Sequence, residues 1–229
     1  MKQLILPIDA LHKIGSPRCF SNLKQMNKVI LNLTISFLGF TSVFAQETRL
    51  WTENDRRYLL DNLIRSRDSI LIETQFLSNK QWNFKESSDR WSIKEVVEHL
   101  AFYELIYEKE ISLAVNAGPQ PELNKTAKPD SFYLNFIMEE KPHITTDYTK
   151  PFTFSVPMGL NEGKNNVAWF VKMRNESIGY LDTTTIDLRS CYMRPGRPNI
   201  HQVYIYVFGH TDRHLRQIRK IKLHPDYPK

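Results

Sequence analysis

Apolar residues recur three and four apart along four separate stretches of the chain, the period of a helix with one buried face. Trp51–Leu77 is the first: Leu59, Leu60, Leu63, Ile64, Ile70, Leu71, Thr74 and Leu77 form its stripe. Thr52 is placed to cap it, with Glu53 and Asp55 in the first turn, where negative charge suits the helix dipole. Ser78–Arg90 is polar around Trp82 and Phe84 and reads as a loop folding back on the helices. Trp91–Ala117 is the second helix. Ser92 and Glu95 make a capping box, Trp91 and Val96 a hydrophobic staple, and Gly118-Pro119 the stop. Its inward positions are Ile93, Val96, Val97, Leu100, Tyr103, Ile106, Tyr107 and Leu113. Asn165–Leu188 is the third, weakened towards its end by the run Thr183–Thr185. After a turn containing Pro195-Gly196 and Pro198, Ile200–Leu223 is the fourth.

Residues 118–164 lack a comparable pattern and contain six prolines, with a short helix expected over Asp130–Lys141 and an extended piece over Phe152–Val156. A stretch this long without strong periodicity is functional or a packed excursion. The fold predicted is therefore all-α: a four-helix bundle with a long crossover between the second and third helices.

Ahead of the bundle, Met26-Asn27-Lys28 opens a positive region and Val29–Phe40 an apolar core. Thr41–Ala45 follows, with Val43 and Ala45 at the small-residue positions of a cleavage site. This predicts export, periplasmic or secreted, with Met26 as the expected start, residues 1–25 as an upstream extension of the reading frame, and the mature domain over 46–229. Val29–Phe44 is short for a membrane span and no cysteine follows it, so neither a stable membrane anchor nor a lipid anchor at that site is expected. The formal charge of +6 shrinks once the leader is set aside, because residues 46–229 hold 26 basic and 24 acidic side chains. A net charge of +2 is no nucleic-acid footprint, so no nucleic-acid partner is expected. Cys191 is the only cysteine after the leader, which leaves no internal disulfide. It is a small apolar residue or, less simply, a nucleophile.

Chemistry concentrates in the fourth helix. His210 and His214 lie one turn apart on its inward face, in line with Val203, Val207, Gln217, Ile218 and Ile221. Gln202, Asp212, Arg213, Arg216, Arg219 and Lys220 mark the other face. Buried imidazoles need partners. Neighbouring polar groups can satisfy them, or a metal ion can, but two ligands are too few for a metal site. His99, on the edge of the second helix's stripe, is the candidate third.

His99 falls in Trp91-Ser-Ile-Lys-Glu-Val-Val-Glu-His-Leu100, which resembles the second-helix signature of the DinB-like superfamily, a Trp-Ser start followed by His-Leu. His210, His214, Gln217 and Ile218 resemble the same family's closing motif, and order and separation along residues 50–225 agree. The resemblance implies a divalent metal held by His99, His210 and His214, with one or more positions open for water or substrate. Zinc and nickel are the leading candidates. Tyr103, Tyr206, Gln217 and Glu98 are candidates to stand behind the ligands, and His201 and His143 to reach the site from loops. The fourth helix is not a metalloprotease motif, since Thr211 stands where that motif needs Glu.

Three functions compete. One is a metal-dependent enzyme acting on an unknown small molecule. Relatives include thiol-dependent transferases and metal-dependent hydrolases; export favours hydrolysis, because low-molecular-weight thiols are chiefly cytosolic. The second is a non-catalytic bundle binding a metal or small ligand, and the third a structural bundle with packed histidines. Many relatives dimerise, which makes a homodimer an option.

Overall fold

Three of the four long helices start where a polar side chain stands in for the missing backbone acceptor. The computed structural model describes residues 50–139 and 156–229. In it, α1 (Glu53–Thr74) is capped by Thr52 and Asp55, and α3 (Ile93–Ala117) by Ser92 and Glu95, both as reciprocal capping boxes. α6 (Ile200–Lys222) has the same device in Asn199 and Gln202. The Ser78–Arg90 segment, expected as a loop, holds one more: Ser78 and Gln81 cap the short α2 (Asn79–Asn83), whose Trp82 is buried. α5 (Gly163–Thr183) ends five residues before the expected Leu188, because Thr184 turns to extended backbone at ψ 138°. β-Branched threonines lose side-chain freedom in a helix, and the run from Thr183 is where it stops. α1 likewise stops at Thr74 rather than Leu77.

Hydrogen bonds fix the topology. Trp51 with His201, Arg65 with Asp212 and Glu73 with Arg219 align α1 and α6 in parallel. Asn166 with Lys94 and Arg174 with Glu104 align α3 and α5 in parallel. Arg56 to the Leu181 and Thr184 carbonyls and Arg67 to Asn175 set α1 against α5 antiparallel. Walking around the bundle, the order is α1, α5, α3, α6. This is a four-helix bundle with up-down-down-up directions, and parallel α3 and α5 require the long crossover predicted from the sequence. Within that crossover, a 3₁₀ turn (Pro121–Thr126) leads into α4 (Asp130–Met138), which packs on α6. A Cβ on Gly209 of α6 would stand 2.6 Å from Ile137 of α4, so the two helices meet closely beside His210. Among the described residues there is no strand, and no helix long and apolar enough to cross a membrane. The predicted leader, His143, and residues 152–155 of the predicted extended piece lie outside the described residues.

Two apolar clusters fill the bundle, one around Leu59, Leu63, Val203 and Val207, the other around Ile70, Val96, Leu100, Phe170 and Ile218. Ile64, Leu71 and Leu113, expected inward, are exposed. Each sits one residue, or about 100°, from a buried neighbour (Leu63, Ile70, Ala114), at the edge of its stripe. Gln202, expected outward, is buried: besides its capping bond it reaches the Lys128 carbonyl at 2.7 Å and Asp130 at 2.9 Å. At the centre, Arg174 ties all four long helices together. It meets Glu104 of α3 in two bonds, at 2.9 and 2.5 Å, the Leu63 carbonyl and Ser66 of α1, and Thr211 of α6.

Candidate metal centre

α3 and α6 run antiparallel, so the first third of α3 faces the middle of α6 and His99 meets both histidines there. Nε2 of His210 lies 3.2 Å from Nε2 of His99 and 3.1 Å from Nε2 of His214. All three side chains are buried, and one ring nitrogen from each lies within 4.8 Å of the others. A neutral imidazole carries a single N–H, so its other nitrogen is a lone pair. The Nδ1–H of His214 donates to Oε1 of Gln217 at 2.8 Å, which turns the Nε2 lone pair of His214 into the cluster. Burial, then the neighbouring imidazoles, holds His210 well below the usual histidine range. Burial also pushes His214 down to about 4, against the opposing bond to Gln217. Both rings are therefore neutral at pH 7, the form that binds a cation.

Metal–nitrogen bonds of about 2.0–2.1 Å in a tetrahedron place ligand nitrogens roughly 3.3 Å apart. The two observed separations are close to that edge, so these donors fit a divalent ion. Trp91 closes the cluster on one side, 4.8 Å from the His99 ring and stacked over His214. Tyr103 closes another, 4.6 Å from His99 and 4.5 Å from His210.

The structure distributes the remaining candidates differently. Tyr103 and Gln217 touch the histidines. Tyr206, one turn before His210, packs against Tyr107 and Phe136. Glu98 is buried and turned to the chain before α5, where its carboxylate accepts the backbone N–H groups of Met158, Gly159 and Leu160. His201 is not in a loop. It opens α6 about 13 Å along the axis from His210 and meets Trp51, Arg189 and Asp130. Cys191 is buried, and burial pushes its thiol up, away from the thiolate a nucleophile needs.

One carboxylate escaped the sequence reading. Glu110 lies on the same row of α3 as His99 and is only 9% exposed, and its Oε1 has no hydrogen-bond partner. Burial raises it to about 7, with Arg197 pulling the other way. Between about pH 4.5 and 7 the folded state therefore holds a proton that the unfolded state has released, so stability falls as pH rises across this window. Glu110→Gln removes that dependence. The variant should match the parent near pH 4 and exceed it by on the order of 3 kcal/mol by pH 8. Melting temperatures at the two pH values check this, and a constant difference would contradict it.

No curated protein matches the chain. Among solved structures, YfiT from Bacillus subtilis, described as a probable metal-dependent hydrolase with an unusual four-helix bundle topology, matches at 10% identity with a TM-score of 0.44. The match covers 75% of this chain and 87% of that one. The sequence pattern of the DinB superfamily matches residues 62–218, a span that contains all three histidines and the four long helices apart from the first turns of α1 and the end of α6, and the chain belongs to that superfamily.

Proposed function

We propose that this chain is a metal-dependent hydrolase of small molecules that holds one divalent ion, zinc or nickel, through His99, His210 and His214. The observation that carries the reading is the convergence of three buried imidazoles, with Nε2 separations of 3.1 and 3.2 Å. When bound, the ion supplies Lewis acidity, polarising a substrate oxygen and acidifying water.

The chain's own residues prepare the site. Gln217 keeps the proton of His214 on Nδ1 and so fixes ring and tautomer. Trp91 and Tyr103 hold the imidazole planes and exclude bulk water from their sides. Glu98, next to His99 in the chain, accepts three backbone N–H groups from the segment before α5. The expected leader over 26–45 would deliver the protein outside the cytoplasm, where water rather than a low-molecular-weight thiol is the available nucleophile.

The test is turnover by the metal-loaded protein on a panel of esters, amides and lactones, with and without added thiol. Hydrolysis without thiol, lost in His210→Ala, is the expected result. Turnover only with thiol would reassign the chain to group transfer, and none under either condition would make it a binding protein.

A further inference from the structure

The row of α3 that carries His99 continues through Tyr103, Ile106 and Tyr107 to Glu110, eleven residues or about 16 Å along the helix. Across from it, α6 contributes Tyr206 beside Tyr107, and α4 contributes Phe136 beside Tyr206. Tyr103 stands 5.6 Å from Tyr107 and touches the histidine rings, so aromatic side chains lead from the imidazoles towards Glu110 without a break. Tyr103 and Tyr206 are partly exposed, whereas Tyr107 and Glu110 are buried.

At its far end stands a group that the fold does not satisfy. A buried carboxylate oxygen without a donor is costly and calls for an explanation, and Arg197 does not supply the donor, since Oε1 of Glu110 remains unbonded. Unlike Glu98, which accepts three amides, and Glu104, which accepts from Arg174, Glu110 has a carboxylate oxygen that accepts from no residue. A protonated amine suits this oxygen: it donates hydrogen bonds, offsets the charge of the ionised carboxylate, and is attracted by the faces of neighbouring aromatic rings.

We propose that Glu110 receives the protonated amine of an elongated substrate whose scissile group lies at the three histidines, with its apolar spacer along Tyr103, Tyr107 and Tyr206. The assignment of the scissile end rests on the hydrolase reading; the amine site does not depend on the metal. Calorimetric titration of the metal-free protein with hexylammonium, hexanol and hexanoate therefore tests it separately. Hexylammonium should bind best. Its affinity should fall at least about tenfold in Glu110→Gln, the loss of a charge-assisted hydrogen bond, and persist in His210→Ala. Equal binding of hexanol, unchanged binding in Glu110→Gln, or no binding of hexylammonium would each overturn the proposal. None of these results would bear on whether His210→Ala loses metal.

Discussion

His210→Ala should leave the protein folded and without metal. His210 is the middle ligand: its Nε2 is within 3.2 Å of both other imidazoles, whereas its removal leaves His99 and His214 as a pair. Two imidazole nitrogens do not make a closed or a catalytic site. Elemental analysis of the purified parent should find about one divalent ion per chain, and the variant at least about tenfold less. His99→Ala and His214→Ala should behave alike, since each removes one of three donors. Far-UV circular dichroism must remain helical for the loss to be read as loss of a ligand. Full metal content in all three folded variants would end the site model and leave three packed histidines.

Arg174→Met should be the most destabilising exchange in the bundle. The side chain is fully buried, and its removal leaves Glu104, 3% exposed, as a charge without its counter-ion. Breaking one partner of a buried pair costs about 3–5 kcal/mol, a large part of the roughly 5–15 kcal/mol that a domain has. Ser66 and Thr211 also lose a donor. Adding Glu104→Leu should restore most of the loss, because an apolar pair of similar volume avoids burying a lone charge. Urea unfolding of the single and double variants measures both effects. A single variant within about 1 kcal/mol of the parent would show that the network is not integral to the fold.

The two predictions differ in how visible their residues were. The histidines could be found from a spacing of four on an inward face, a capping box that located the other helix, and a family resemblance that joined the two. Gln217 was legible for the same reason, being one turn from His214. Arg174 was not: in a one-dimensional pattern a charged residue marks the outward face, and nothing local says that four helices will close around it. The burial of Gln202 and Glu110, and the partners of Glu98, were hidden in the same way, since each of the three is a polar residue whose surroundings depend on what the crossover or a neighbouring helix brings to it. Helix starts read well where caps are local. The end of α5 was set by a run of threonines whose weak helix preference competes with packing, and such balances are not settled by the sequence alone.

The three amides held by Glu98 have a consequence for solvent exchange. Met158, Gly159 and Leu160 are exposed residues and belong to no helix, features that ordinarily go with rapid hydrogen exchange. Their N–H groups nevertheless point at a buried carboxylate in the second turn of a core helix. Deuterium will reach them only when that contact opens, so this short surface segment reports on the turn of α3 that also carries His99.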